Sequence, residues 1–170
     1  MKEILEYITN YDDFPQKGII FKDLFGILRE PNIFRGLIDR MASSQEIQAS
    51  DAIIAIEARG FIFGSAIAFH SGKPMVVARK PNKLPGKLLM KKYDLEYGSN
   101  TLTIQKKSIK EFQRFSIVDD VLATGGTAKC VSDIILSAGK EVISYNMVIE
   151  IKSLNGRKKL GGPVNSQLLV

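Results

Sequence analysis

The amino-acid sequence predicts an α/β fold with a mostly parallel, twisted sheet flanked by helices. Short continuous apolar runs have the length and composition of strands that are buried on both faces of a sheet. Between these runs lie longer segments in which apolar residues recur at helical spacing. Strands that alternate with helices are joined by crossovers and therefore run parallel. The predicted strands are 52–56, 75–78, 115–118 and 142–151, and the predicted helices between them are 60–70 and 127–138.

The other elements follow from turn residues and from the spacing of apolar residues. Residues 2–9 predict a short helix, and the proline and glycine within 12–18 break regular structure after it. Pro31 suits a first helical turn, and the apolar stripe that follows predicts a helix over 31–41. Residues 80–100 contain two prolines and two glycines, which indicates a long loop or a hairpin.

Length and composition fit one compact domain over residues 1–170. Of the 170 residues, 45% are hydrophobic and 25% are charged, which is typical of a globular protein with a real core. No apolar run approaches the ~18 residues of a membrane span, and the first residues lack the apolar core of a secretory signal. Together with this absence, the single cysteine, Cys130, predicts a reducing, cytoplasmic environment without a membrane partner.

Basic side chains are concentrated in one segment of the chain. The formal net charge of +6 favours anionic partners, and between residues 79 and 92 every ionisable group is basic. A solvated loop, a nucleic-acid surface and a site for small polyphosphates all remain open for this segment, because charge alone does not distinguish them. The basic residues are Arg79, Lys80, Lys83, Lys87, Lys91 and Lys92.

Three polar segments each follow a buried strand directly. They are 57–60, Arg79 with Lys80, and 119–127. In parallel sheets, ligands bind beyond the carboxyl ends of the strands. We therefore expect all three segments to line one crevice.

The segment that connects the third buried strand to its helix suits an anion. Two glycines let the backbone approach a ligand closely, and the helix that follows adds the positive end of its dipole. An ordinary strand-to-helix turn is the alternative, since glycine and threonine are common there. The residues are Ala123, Thr124, Gly125, Gly126 and Thr127.

Asp119 and Asp120 precede this loop and make the prediction more specific. Two adjacent carboxylates would repel a phosphate unless another group engages them. A sugar diol can donate hydrogen bonds to them, and a metal ion can bridge their charges. A phosphate at one end and hydroxyls at the other describe a ribose 5-phosphate. The sequence contains neither a Walker loop nor a Gly-x-Gly-x-x-Gly loop.

Residues 118–127 resemble the phosphoribosyl-pyrophosphate signature of the type I phosphoribosyltransferases. In that signature, a hydrophobic strand, two acids and a Thr-Gly-Gly-Thr-like loop follow one another. The resemblance implies the fold of that family, with a small N-terminal hood over about 1–30 and a flexible catalytic loop over about 80–104. It also implies that Asp119 and Asp120 face the ribose 2- and 3-hydroxyls and that the loop holds the 5-phosphate.

Further segments are similar to one branch of that family, the adenine phosphoribosyltransferases, and occur in the same order as in that branch. The segments are 13–15 with 18–23, which resemble the hood; 56–64, which resembles the pyrophosphate loop; 93–98, after 79–81 and 83–86, which resembles the catalytic loop; and 154–160.

The resemblance assigns roles to the basic side chains near the first and second strands. Arg59 ends a strand and begins a helix, where its guanidinium can hold pyrophosphate bidentately, although a surface ion pair is the alternative. The resemblance further implies a cis peptide between Glu57 and Ala58. The residues implied to bind pyrophosphate are Glu57, Ala58, Arg59, Arg79, Lys80 and Lys83.

Two other segments are predicted to bind the base and to transfer its proton. Phe21 can stack on a planar base, and the backbone of Ile20 and Lys22 can bind the base edge. A core phenylalanine that anchors a loop is the alternative for Phe21. Glu96 can exchange a proton with a purine ring nitrogen when its loop closes, although a surface glutamate is the ordinary alternative.

The resemblance therefore implies an enzyme that converts adenine and 5-phosphoribosyl 1-pyrophosphate into AMP and pyrophosphate in purine salvage, with Glu96 and Arg59 as catalytic residues. It implies a homodimer, no nucleic-acid partner, and Mg²⁺ that arrives with the substrate rather than in a protein cage, with Asp119 and Asp120 as possible contacts. Transfer to hypoxanthine, guanine or xanthine is the nearest rival. A regulator that senses phosphoribosyl pyrophosphate is the rival from another class.

Overall fold

The computed structural model describes residues 2–94 and 99–170 of the chain. Within these residues, no helix is both long and apolar enough to cross a membrane. The α-helices are α1 Lys2–Leu5, α2 Phe25–Leu28, α3 Pro31–Ala42, α4 Gln45–Ala49, α5 Gly60–Ser71 and α6 Gly126–Ser137. The strands are β1 Thr9–Tyr11, β2 Phe21–Asp23, β3 Ala52–Ile56, β4 Met75–Ala78, β5 Leu88–Asp94, β6 Ser99–Gln105, β7 Arg114–Leu122, β8 Glu141–Glu150 and β9 Val164–Leu169. Short 3-10 helices are Lys106–Ile109, Lys152–Leu154 and Gly156–Lys159.

Five parallel strands form the central sheet in the order β4-β3-β7-β8-β9. Helix α5 connects β3 to β4, and α6 connects β7 to β8. The predicted α/β class with a mostly parallel sheet is therefore confirmed. The carboxyl ends of β3, β4 and β7 lie side by side, because β3 is paired with both of the others.

Each face of the sheet has its own hydrophobic core. All five residues of β3 are buried, and Ala52, Ile54 and Ile56 belong to one core while Ile53 belongs to the other, as the pleat of a strand requires. Ile53 packs with α3 and α5 on one face, whereas Ile54 packs with α6 and β6 on the other. This two-sided burial explains why β3 reads as an uninterrupted apolar run.

Two antiparallel pairs lie outside the central sheet. Strands β1 and β2 pair near the N-terminus, and β5 and β6 form a hairpin. The hairpin packs along α6 and is joined to the end of β4 by a bridge between Arg79 and Thr103. The sequence allowed either a long loop or a hairpin for residues 80–100, and the described part of this segment forms the β5–β6 hairpin.

Several boundaries differ from the sequence-based prediction. Helix α1 ends at Leu5, earlier than expected, and β9 had no counterpart in the prediction. The larger difference is in β7, which continues to Leu122, so that Asp119 and Asp120 lie within the strand rather than after it. Pairing with β8 continues through this end, with Asp119 opposite Met147, and the sheet context outweighs the low strand propensity of aspartate.

Candidate functional site

The three polar segments predicted to line one crevice meet at the carboxyl ends of β3, β4 and β7. Glu57 Oε2 accepts hydrogen bonds from Arg79 Nε and from the Lys80 amide, each at 3.0 Å. Arg59 Nε lies 2.6 Å from Asp120 Oδ2. The Glu57–Ala58 peptide is cis, which is the geometry that the resemblance implies. The first strand end is thus connected by ion pairs to both of its neighbours.

Arg59 connects the N-terminal segment to the floor of the crevice. Besides its ion pair with Asp120, it donates a hydrogen bond from Nη1 to the Lys22 carbonyl at 3.1 Å. Its guanidinium also lies over the Phe21 ring, 4.7 Å from the centroid. The residue is therefore neither a simple surface ion pair nor a side chain that projects freely into the crevice.

Asp119 and Asp120 form an acidic pair, in which Asp120 is 5% exposed and Asp119 is half-buried. Burial raises the pKa of the Asp119 carboxyl well above its ordinary value, and the charge of Asp120 raises it further. Burial also raises the pKa of Asp120, although the Arg59 guanidinium opposes that shift. The Asp120 amide donates to Asp119 Oδ1 at 2.9 Å. Burial and mutual repulsion make two negative charges unfavourable at these carboxyls. The pair therefore suits a ligand that brings hydroxyl donors or a cation.

Gly60 lets helix α5 begin close to this acidic pair. A Cβ atom at Gly60 would lie 2.7 Å from Asp119 Oδ1 and 3.2 Å from the Val118 carbonyl oxygen. Both distances are shorter than ordinary van der Waals contacts to carbon. A side chain at this position would therefore displace the Asp119 carboxylate.

The loop that follows β7 has the geometry of an anion site. Gly125 adopts a left-handed conformation with φ of 78°, and α6 begins at Gly126. A cavity of about 60 Å³ lies between the end of β7 and this loop. The helix N-terminus and the loop amides favour negative charge there. The residues that line it include Asp119, Ala123, Thr124, Gly125, Gly126 and Thr127.

Gly156 packs against the backbone of this loop, and the sequence analysis had assigned it no role of its own. A Cβ atom at Gly156 would overlap the Ala123 carbonyl oxygen, and one at Gly125 would overlap the Gly156 carbonyl oxygen. The two backbones therefore touch in a way that only two glycines allow. The Asn155-Gly156 dipeptide signals a turn in the sequence, but no local pattern shows that Gly156 meets Gly125, 31 residues earlier in the chain.

An ion pair between exposed Arg157 and the buried Glu150 carboxylate holds the segment that carries Gly156. Arg157 donates from Nε to Glu150 Oε1 at 2.7 Å and from Nη2 to Glu150 Oε2 at 2.5 Å. Ser166 Oγ donates to the same carboxylate at 2.8 Å. Glu150 is only 2% exposed, and the hydrogen bonds from Arg157 lower its pKa. The last residue of β8 thus fixes the position of the turn behind the anion loop.

Removing this cation should destabilise the protein in a pH-dependent way. We expect Arg157→Met to lower the free energy of unfolding by about 1–3 kcal/mol at neutral pH, because Glu150 remains buried with only the Ser166 hydroxyl as a side-chain donor and without its cation. Since the pair lowers the pKa of Glu150, its contribution is complete above the ordinary glutamate value of 4.5 and is lost as the pH falls through the folded-state pKa. Urea unfolding at several pH values measures this. Arg35→Met, on an exposed arginine of α3, is the control, and an equal loss in both variants would contradict the assignment.

The hairpin touches the anion loop near its far end. Tyr93 Oη lies 3.3 Å from Thr127 Oγ1, within hydrogen-bonding distance. Lys91, on the same strand, forms an ion pair of 2.9 Å with Asp133 of α6. Glu96, the predicted proton-transfer residue, lies outside the described residues. Lys83 is exposed, and its carbonyl oxygen accepts a 3.4 Å hydrogen bond from Arg79 Nη1.

Phe21 lies at the rim of the crevice and belongs to neither hydrophobic core. Its ring packs edge-on against Phe14, with centroids 5.2 Å apart. The guanidinium of Arg59, which follows the end of β3, lies over the face of the same ring. This placement is inconsistent with the alternative of a core phenylalanine. Ile20 is 52% exposed beside it, whereas one lone pair of the Lys22 carbonyl is taken by Arg59.

Comparison with known proteins identifies the family. Residues 26–159 match the family described as phosphoribosyl transferase domain. An adenine phosphoribosyltransferase of Prochlorococcus marinus is 56% identical over 98% of this chain and 97% of that protein. The chain belongs to the adenine phosphoribosyltransferase family.

Solved structures agree with this membership. The crystal structure of adenine phosphoribosyltransferase from Thermoanaerobacter pseudethanolicus is 42% identical, with a TM-score of 0.95 and coverage of 99% of both chains. The Saccharomyces cerevisiae enzyme is 34% identical, with a TM-score of 0.85 over 97% of this chain and 96% of that one. That structure is a complex with an imino-altritol bisphosphate and adenine. The resemblance to the family, its fold and its class of transferase enzyme are therefore confirmed.

Proposed function

We propose that this adenine phosphoribosyltransferase carries out its reaction in the crevice at the ends of β3, β4 and β7. Adenine and 5-phosphoribosyl 1-pyrophosphate would react there to give AMP and pyrophosphate in purine salvage. The observation that carries the proposal is the Asp119–Asp120 pair, which precedes the loop with left-handed Gly125 and pairs through Asp120 with Arg59, whose guanidinium also covers Phe21. The adenine bound to the yeast relative supports the choice of base.

The phosphoribosyl group would lie between the acidic pair and the loop. Asp119 and Asp120 accept hydrogen bonds from the ribose 2- and 3-hydroxyls, which satisfies carboxylates whose pKa values are raised by burial. The 5-phosphate takes the small cavity at the start of α6 and is bound by loop amides and threonine hydroxyls. The loop residues are Ala123, Thr124, Gly125, Gly126 and Thr127. Thr127 exchanges its contact with Tyr93 for one with the phosphate.

Pyrophosphate would occupy the side of the crevice that carries the strand-end cations. Arg59, Arg79, Lys80 and Lys83 supply positive charge, and the Ala58 backbone supplies an amide donor, whereas the Glu57 amide already donates to the Ala78 carbonyl oxygen at 3.0 Å. Glu57 orients Arg79 through its 3.0 Å hydrogen bond. Binding of the ribose hydroxyls to Asp120 frees the Arg59 guanidinium to follow the departing charge.

Adenine would stack on Phe21, with its edge read by the backbone of Ile20 and Lys22. Its N9 attacks C1 of the ribose from the face opposite pyrophosphate. The N9–C1 bond forms, the C1–O bond breaks with its electrons leaving on pyrophosphate, and C1 is inverted. Glu96 accepts the purine proton, and closure of the predicted catalytic loop excludes water that would otherwise hydrolyse the sugar. The bounds 80–104 are too wide for that loop, because Leu102 and Ile104 are buried in the hydrophobic core.

The acidic pair also fits the Mg²⁺ that the family implies. Among residues 2–94 and 99–170, no cluster of three or more potential ligand side chains is present, so these residues do not form a complete cage. Asp120 Oδ2 faces Arg59 but receives no well-directed hydrogen bond within the same ranges. Asp119 and Asp120 would contact the ion while substrate oxygens and water complete its coordination. When bound, Mg²⁺ neutralises charge on the pyrophosphate.

A homodimer in the cytoplasm completes the proposal. Phe69 on α5 is 92% exposed, and a large apolar side chain in that state suits a subunit interface. Phe61 and Ile62 of the same helix are partly exposed. Phe63 is 2% exposed and packs against Phe34, so it belongs to the core and not to this surface.

The base preference can be tested directly against the rival purines. We expect pyrophosphate release from phosphoribosyl pyrophosphate and Mg²⁺ to be much faster with adenine than with hypoxanthine, guanine or xanthine. A faster reaction with any of those three bases would replace adenine as the substrate while leaving the phosphoribosyl site intact.

The role of Phe21 has its own test. Phe21→Ala should raise the KM for adenine about tenfold, because it removes the stacking surface, and leave the KM for phosphoribosyl pyrophosphate nearly unchanged. Steady-state kinetics with each substrate varied in turn measure the split. Phe14→Leu, which alters only the residue at the edge of the ring, is the control. A rise in both KM values would assign Phe21 to the shape of the hood rather than to the base.

A further inference from the structure

We propose a second binding site at the base of the β5–β6 hairpin, for a small phosphorylated molecule with a planar, weakly polar part, such as a nucleoside triphosphate. The proposal is independent of the reaction assigned to the crevice. It is based on a cavity, on the charge of its rim and on the character of its floor.

The cavity has a volume of about 970 Å³. This size lies at the upper end of the range found for small-molecule sites, roughly 300–1,000 Å³. Its walls are the outer ends of β5 and β6, the 3-10 helix Lys106–Ile109 and the C-terminal end of α6. The anion loop lies at the other end of α6, about 18 Å away for a helix of this length. The cavity is therefore separate from the crevice.

The rim of the cavity is strongly basic. None of its lysines forms an ion pair with a carboxylate in the described ranges. Lys91 and Lys129 on the neighbouring surface differ in this respect, because both are paired with Asp133. Unpaired cations gathered around one concave surface raise the local concentration of anions. The lysines of the rim are Lys87, Lys106, Lys107, Lys110 and Lys140.

The floor of the cavity is apolar. Leu89 and Ala138 are half-buried there, and Ile109 is 2% exposed. An inorganic anion would use only the rim, whereas a nucleotide would place its phosphates on the lysines and its base on the floor. This combination selects a nucleotide over a bare phosphate.

Charge also distinguishes this ligand from a second copy of the chain. Two such faces in contact would bring their lysines together, and like charges across an interface are unfavourable. An extended nucleic acid would need a continuous basic surface along its backbone rather than one cavity. Binding of an RNA duplex tests that alternative.

The test measures binding of CTP by isothermal titration calorimetry to the whole protein at about 0.1 M salt, where exposed charges are still effective. We expect saturable binding that excess ribose 5-phosphate, which lacks a base and suits the anion loop, does not displace. The Lys106→Ala/Lys107→Ala double variant should bind CTP at least about tenfold more weakly, because two charged donors are lost. The Lys158→Ala/Lys159→Ala variant, an adjacent exposed pair outside the cavity, should bind it as the unchanged protein does.

Other outcomes would overturn the proposal. They are absence of saturable binding, displacement of CTP by ribose 5-phosphate, equal binding by both double variants, and tripolyphosphate binding as tightly as CTP. Tighter binding of an RNA duplex, lost in the Lys106→Ala/Lys107→Ala variant, would assign the same lysines to nucleic acid instead. Thermal melting of the two variants confirms that both remain folded.

Discussion

Gly125→Ala is expected to lower kcat/KM for phosphoribosyl pyrophosphate by about a hundredfold or more, a loss comparable with that of an essential anion-binding donor. A Cβ atom there overlaps the Gly156 carbonyl oxygen, so the loop must move away from the turn that supports it. Its amides would then no longer converge on the 5-phosphate. Steady-state kinetics with the phosphoribosyl substrate varied provide the measurement.

The chain offers a closely matched control at the other end of the same helix. Gly139 is also left-handed, with φ of 72°, but a Cβ atom there meets nothing within 4 Å. Gly139→Ala therefore introduces similar backbone strain, about 1 kcal/mol, without the overlap. It should lose some stability and keep its activity. Equal activity in the two variants would contradict the role assigned to the loop.

Glu96→Gln is expected to lower kcat about 10²- to 10⁴-fold, the usual contribution of a general acid or base. The amide keeps the size of the side chain but cannot accept the purine proton. Binding of both substrates should change little, because the change affects the proton and not the contacts. Single-turnover rates and equilibrium binding of each substrate separate these two effects.

Glu111→Gln, on an exposed glutamate beyond the hairpin, is the control and should leave kcat unchanged. Turnover within twofold of the unchanged protein in Glu96→Gln would remove Glu96 from the mechanism. The same pair of variants addresses the regulator hypothesis, since a protein that only senses the phosphoribosyl ligand would be indifferent to both.

Local sequence patterns predicted the elements whose residue types directly reflect their burial or their backbone conformation. The β3 run is apolar throughout because both faces of the strand are covered, and its position followed from that pattern alone. The glycine loop was recognisable because its residue types are needed for its own backbone conformation. The meeting of Glu57 with Arg79 followed from one rule about the ends of parallel strands.

Contacts between distant segments were not predictable in the same way. Nothing near Arg59 in the chain shows that its guanidinium reaches the Lys22 carbonyl and covers Phe21. The fit of Gly156 against Gly125 depends on where β8 ends and on the ion pair of Glu150. The extension of β7 through its two aspartates is fixed by the neighbouring strand and not by local preference.

Measuring AMP and pyrophosphate together tests most directly whether this crevice transfers a phosphoribosyl group to adenine. With adenine, phosphoribosyl pyrophosphate and Mg²⁺, the protein should form AMP and pyrophosphate in equal amounts, and omitting adenine should stop the release of pyrophosphate. Quantitative chromatography of both products from one time course provides the measurement. Release of pyrophosphate without AMP, or formation of neither product, would contradict the claim that this crevice transfers a phosphoribosyl group to adenine.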